Sequence, residues 1–344
     1  MTEYKLIIGN KSIVSDKIHL YLHPHLTLFR IQNIKLSPQS GINPGYEKKG
    51  RALSYDITQD YIVDKKDFLD KAIEKIIEKY SSPQKLNSIR ILEPGCGPGK
   101  ITTFYLLGKK MLQSFRRIDI ECADLSDEMA LLVNKYLKER ENEIINSNCN
   151  VNVRITSGTC LIDASYYENI AKKPFDVVLL SQFKHYFPNS YESQLANKLR
   201  KNNIPFMAKD HFIQLVYDSL MKPNSMLIII NDEEHEDANV RKLHDDNWDK
   251  YTAMGLTKNI DKISALSREI ADKIYKKYHT LGIKPEDVAG EIRRYRREQC
   301  NEEIRPLSAT ISSLKRIFGD ENVEYFRHKD KLLGRFYLAI AYKL

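Results

Sequence analysis

Glycine stands at every second position, Gly95, Gly97 and Gly99, directly after the run Ile89-Arg-Ile-Leu-Glu-Pro94 and before a helix-compatible run from Lys100. Apolar alternation up to Leu92 predicts a buried strand. Three residues without a Cβ predict a turn tighter than side chains permit, with backbone N–H groups open to a ligand. A helix starting behind the turn adds free donors and a dipole. The chemistry this spacing can do is to cradle a nucleotide-type ligand. A dinucleotide fingerprint wants a small residue where Lys100 stands, so an NAD-type oxidoreductase is disfavoured.

Glu93-x-Gly95-x-Gly97-x-Gly99 resembles the first motif of the class I S-adenosylmethionine (SAM)-dependent methyltransferases, and Asp124-Leu-Ser-x-Glu-Met129 resembles the second, in the same order. The resemblance covers roughly residues 51–230 and 306–344. It implies SAM as cofactor, with Glu93, Gly95, Cys96, Gly97 and Gly99 holding its amino-acid end. Asp124 closes a predicted second strand, where a carboxylate beside the first strand can accept both ribose hydroxyls, with Leu125 next to the adenine. Thr159 stands where the family commonly has an acidic residue for the adenine amino group. Backbone groups of Thr159 and Cys160, or the carboxylate of Asp163, are the substitutes. Ser181 and Gln182, at the tip of the fourth strand, complete the cofactor set. Tyr55 or Tyr61 resembles the lid that folds over the cofactor, and His185 and Tyr186 resemble residues lining the methyl-acceptor side. His185 is a general-base candidate because imidazole titrates near pH 6.5.

These residues need a scaffold. Residues 1–50 read as an N-terminal β extension, with a hairpin around Gly9-Asn10 and further strand candidates between His19 and Leu36. Asp64 is the expected N-cap of a helix to Tyr80 whose Phe68, Leu69, Ala72, Ile73, Ile76 and Ile77 share a face. Residues 51–230 are the expected cofactor-binding core: five strands alternate with helices, including one helix over 101–112, and Ser126 caps the helix after Asp124. Residues 231–305 are an expected helical cap, and 306–344 add a helix and a strand pair. The fold class expected is α/β: a Rossmann-like, mostly parallel seven-stranded sheet with helices on both faces, an N-terminal β extension and a helical insertion after strand five.

Five scattered cysteines without a Cys-x-x-Cys pair argue against a disulfide framework or structural zinc. His19, His23 and His25 lack a neighbouring carboxylate or cysteine, so no metal site is expected. The net charge of +8 is spread along the chain and reads as a lysine-rich surface rather than a nucleic-acid footprint. Residues 231–250 instead hold eight acidic residues against three basic ones. That segment would repel phosphate and attract an amine, with Asp232 and the single tryptophan, Trp248, as substrate candidates. The expected function is methyl transfer to a small-molecule amine or hydroxyl. Alternatives are an RNA or protein methyltransferase, for which Arg293, Arg294, Arg296 and Arg297 are the basic candidates, and a non-catalytic SAM-binding partner of another enzyme. With neither a leader pattern nor a membrane-length apolar run, the expected location is cytoplasmic.

Overall fold

The computed structural model describes residues 4–8, 11–15, 28–36, 52, 56, 63–81, 88–158, 161–181, 187–232, 306–327 and 336–344. β1 (Tyr4–Ile8) and β2 (Lys11–Ser15) pair antiparallel with Ile8 opposite Lys11, the two-residue hairpin expected at Gly9-Asn10. The other strands build one sheet: β3 (Phe29–Lys35), β4 (Ser88–Pro94), β5 (Arg117–Asp124), β6 (Asn150–Ser157), β7 (Phe175–Ser181), β8 (Met221–Asp232), β9 (Val323–Arg327) and β10 (Phe336–Lys343). Their order is β3-β6-β5-β4-β7-β8-β10-β9. Neighbours from β3 to β8 are parallel, and β10 runs antiparallel to both β8 and β9.

The sheet has eight strands where seven were expected. β3, expected within the N-terminal extension, pairs with β6 from Phe29 opposite Val151 to Lys35 opposite Ser157. It covers a row of β6 backbone groups that would otherwise form an open edge.

Helices lie on both faces: α1 (Val63–Tyr80), α2 (Lys109–Ser114), α3 (Asp127–Glu139), α4 (Glu141–Asn146), α5 (Ala164–Ile170), α6 (Gln194–Lys201), α7 (Lys209–Leu215) and α8 (Leu307–Phe318). Strand side chains alternate between the two layers. Ile89 and Ile91 of β4 and Ile228 and Ile230 of β8 pack under α1 to α4, while Leu92, Leu227 and Ile229 pack under α5 to α8. β7 is buried along its whole length, as a central parallel strand covered on both faces must be. Among the described residues no helix is long and apolar enough to cross a membrane.

Local differences from expectation have visible causes. α1 begins at Val63, so Asp64 lies inside its first turn and is not the N-cap. The run 101–112 is not one helix. Ile101–Leu106 is a π-helical turn in which the Leu107 N–H donates to the Thr102 carbonyl at 3.0 Å. The chain is extended at Gly108, and α2 follows. Ser126 does cap α3, accepting from the Met129 N–H at 3.3 Å.

Candidate functional site

Chain order reverses beside β4: β5 and β6 add on one side, β7 and β8 on the other. In open α/β sheets the crevice at such a reversal, beyond the carboxyl ends of the strands, is where ligands bind. A cavity of about 370 Å³ lies there, within the size range of small-molecule and cofactor sites. It is lined by Glu93, Gly95, Cys96, Gly97, Pro98, Lys100, Ile101, Phe104 and Tyr105 after β4, by Ser181 at the tip of β7, and by Lys65, Lys66 and Leu69 from α1. Five of the residues expected at the cofactor, Glu93, Gly95, Cys96, Gly97 and Ser181, thus share one cavity wall.

The turn itself departs from expectation in a way that decides its chemistry. Gly95, Gly97 and Gly99 all have positive φ (69°, 55° and 73°), the conformation that calls for glycine. Yet their N–H groups are not open. Those of Gly95 and Cys96 donate to the Ala123 carbonyl at 2.8 and 3.1 Å, that of Gly97 to Asp124 Oδ2 at 2.9 Å, and that of Gly99 to the Cys96 carbonyl at 3.0 Å. Residue 98 is proline and has no N–H. The backbone donors from Gly95 to Gly99 are thus spent on the chain itself.

Asp124 is placed by these bonds. Oδ2 accepts from Gly97, Oδ1 accepts from the Ser126 N–H at 2.9 Å, and the carboxylate ties the tip of β5 to the glycine turn. Asp124 itself does not line the cavity. Leu125 is half-buried just past that tip and does not line the cavity. Gly99 does not line it either: a Cβ there would lie 2.6 Å from a Val133 methyl, so this glycine lets α3 pack against the turn. Asp163 caps α5, accepting from the Ser165 N–H at 3.4 Å and its hydroxyl at 2.6 Å.

Glu93 is 1% exposed. Burial pushes its carboxyl up to about 8, against the pull of the Thr102 hydroxyl, which donates to it, and of nearby Lys65; Asp124 adds a further upward push. The π-helical turn is what brings Thr102 under Glu93, and such turns recur at functional sites. Contact with the Cys122 thiol and burial raise the Cys96 thiol well above its usual range, so it stays protonated and is no nucleophile. The Ser181 hydroxyl is buried and makes no hydrogen bond among the described residues. Lys100 ion-pairs with the buried Asp56 at 3.1 Å, and the Tyr136 hydroxyl donates to the same carboxylate. Asp56 is thereby held beside the turn. Sequence reasoning missed Lys65, Thr102 and the Asp56–Lys100 pair. Only the last left a trace, as a lysine at a position where close packing wants a small residue.

Tyr55, Tyr61, Thr159, Cys160, Gln182, His185, Tyr186, Trp248 and the arginines at 293, 294, 296 and 297 lie outside the described residues, as do His19, His23 and His25. Asp232 is placed by its backbone at the end of β8, opposite Phe336. Among the described residues no cluster of three or more His, Cys, Asp or Glu could hold a metal ion.

Six parallel strands around a switch point, followed by one antiparallel strand inserted before the last, complete the pattern. The fold is Rossmann-like, a mostly parallel sheet with helices on both faces. No family model and no curated protein matches the sequence. Similar solved structures include an arsenic (III) S-adenosylmethionine methyltransferase from Chlamydomonas reinhardtii, with 10% identity, 75% of this chain and 64% of that chain covered, and a TM-score of 0.38. PKMT2 from Rickettsia typhi, in complex with AdoHcy, is 14% identical, with 78% and 52% covered and a TM-score of 0.36. The citrinin polyketide synthase CMeT domain is 12% identical, with 74% and 46% covered and a TM-score of 0.37. This chain spans less than two thirds of each of the three.

Proposed function

We propose that this chain is a SAM-dependent methyltransferase acting on a small-molecule amine or hydroxyl acceptor. The observation that carries the reading is the turn whose backbone donors are all spent, next to a buried carboxyl. Such a wall disfavours the diphosphate of a dinucleotide and suits the ammonium of an amino-acid-bearing nucleoside. The residues present fit SAM: Glu93 and the turn carbonyls for its ammonium, Asp124 for its ribose, and Ser181 as a buried hydroxyl still able to donate.

When bound, SAM supplies a methyl group already made electrophilic by its sulfonium. The chain has only to orient the acceptor, exclude water and receive a proton. Orientation falls to the wall between the β4 and β7 tips. The proton-receiving group is His185 or Tyr186, which follow Ser181 in sequence by a few residues. The acidic segment after β8, with Asp232 and Trp248, favours an amine over nucleic acid as acceptor.

The test is calorimetric titration with S-adenosylhomocysteine of the wild type and of Asp124→Ala, with NAD as control. We expect micromolar binding by the wild type, weakened at least about tenfold by the loss of a charged hydrogen-bond acceptor, and no NAD binding. A wild type that ignores S-adenosylhomocysteine, or prefers NAD, overturns the cofactor assignment.

A further inference from the structure

Parallel strands are normally covered on both faces, because their crossovers lay helices there. On β3, β6 and β5 only one face is covered in that way. Val151, Val153, Ile118 and Ile120 enter the first apolar layer, whereas the second layer takes only Ala123 from these three strands. The positions in between, which point to the other side, are polar. Two rows of them cross the strands in register: Arg30, Asn152, Asp119 and Arg90, then Gln32, Arg154 and Glu121. The side chain of Arg154 is 41% exposed and that of Asp119 22%, so the face is open to solvent.

Composition and bonding mark this face as more than a solvated surface. The chain has 36 lysines and 18 arginines, yet the cations on this side of β3 to β6 are Arg30, Arg90, Arg117 and Arg154. Arginine is enriched and lysine depleted where proteins meet, since a guanidinium is weakly hydrated and pairs in a fixed geometry. Glu121 is 5% exposed, with Arg154 Nη1 and the Thr156 hydroxyl each only as near as 3.5 Å. Asn152 Oδ1 and Arg154 Nε are buried and make no hydrogen bond among the described residues, which leaves an acceptor and a donor unsatisfied side by side.

We propose that this face is a two-fold interface with a second copy of the chain. A nucleic acid does not fit it: Asp119 and Glu121 stand in its middle, and none of the side chains in the two rows is aromatic. A copy of the same face answers both signs of charge. With a two-fold axis along the strands between β5 and β6, Arg154 of one copy faces Glu121 of the other and Asn152 faces Asp119, each contact occurring twice. Glu121 then has an arginine on either side. The like charges, Arg30 against Arg90, fall at the margins, where sheet twist spreads two stacked faces apart. Strands about 4.8 Å apart and residues about 3.3 Å apart make the contact roughly 15 Å on a side. That is smaller than a standard stable interface, so the dimer is a dissociable one. The inference is independent of the cofactor reading.

Sedimentation equilibrium of the full chain, from about 1 to about 200 µM, reads the association directly. Wild type is expected to dimerise within that range. Arg154→Glu and Glu121→Arg should each raise the dimer dissociation constant at least about tenfold, because like charges then face each other twice. Mixed in equal amounts, the two variants should associate again, since each meets its opposite charge in the other chain. A pair acting only within one chain gives no such rescue. Circular dichroism checks that each variant folds. If Glu121→Arg does not, Arg154→Glu is read against Tyr325→Glu on the far edge strand, which should leave the dimer unchanged. A wild type that stays monomeric throughout, a dimer that Arg154→Glu weakens no more than Tyr325→Glu, or two folded variants whose mixture stays monomeric overturns the proposal.

Discussion

Glu93 shows how a single residue can make the site and the stability of the fold answer to the same proton. Its carboxyl titrates near 4.5 when unperturbed and at about 8 in the folded protein, chiefly through burial. The folded state therefore holds a proton that the unfolded chain sheds. The resulting contribution to stability is complete below about pH 4.5 and is lost as pH rises to about 8. Glu121 is raised the same way, to about 7, so it adds to the trend in the wild type and in any Glu93 variant alike. In urea unfolding, Glu93→Gln should gain stability relative to wild type between about pH 5 and about pH 8.5, because glutamine has no proton to lose. An unchanged difference at the two pH values would sink this account. Legibility at this scale follows the kind of constraint. The glycine turn could be read because each Gly is demanded by its own backbone. Lys65 could not, because one lysine among 54 basic residues becomes special only through burial against β4. Three of the four spent donors escaped notice for a related reason: their acceptors, Ala123 and Asp124, sit on another strand.

Elements were legible where a local period sets them and obscure where a distant surface does. The alternation of β4 and the cap at Ser126 are local signals, and both elements form as expected. The π-helical turn over Ile101–Leu106 instead carries the Thr102 hydroxyl to Glu93 and follows Gly99, on which α3 packs, and neither contact is marked in the local pattern. The Gly99 contact can be tested. Gly99→Ala puts a methyl 2.6 Å from Val133 Cγ2 at a φ of 73°, and should destabilise the protein by about 1–3 kcal/mol. In a double-mutant cycle with Val133→Ala the steric part should be relieved, leaving about 1 kcal/mol from the left-handed backbone. Strictly additive effects of the two substitutions would show that the helix does not rest on the glycine. The eighth strand was obscure for the same reason. Residues 29–35 read as a strand, but pairing with β6 more than a hundred residues away leaves no mark in the local pattern.

For the molecule as a whole, the sheet divides the apolar side chains into two layers, and β10 contributes to both. Phe336, Leu338 and Ile340 enter one layer, and Tyr337, Ala339 and Ala341 the other. Leu338→Ala should therefore cost about 2–5 kcal/mol in chemical denaturation. Tyr325→Ala, on the neighbouring edge strand and 51% exposed, should stay within about 0.5 kcal/mol. Comparable midpoints for the two variants would contradict the central placement of β10. That placement also bears on how the chain is made. β10 is synthesised after every other strand of the sheet, yet it sits between β8 and β9. Until it leaves the ribosome, the apolar flank of β8 has no neighbour on that side. At the opposite edge β3 emerges early and waits for β6, across the 122 residues that separate Leu28 from its hydrogen-bond partner Asn150. The nascent chain thus carries first one unfinished edge and then another, and its exposure to aggregation is greatest during translation.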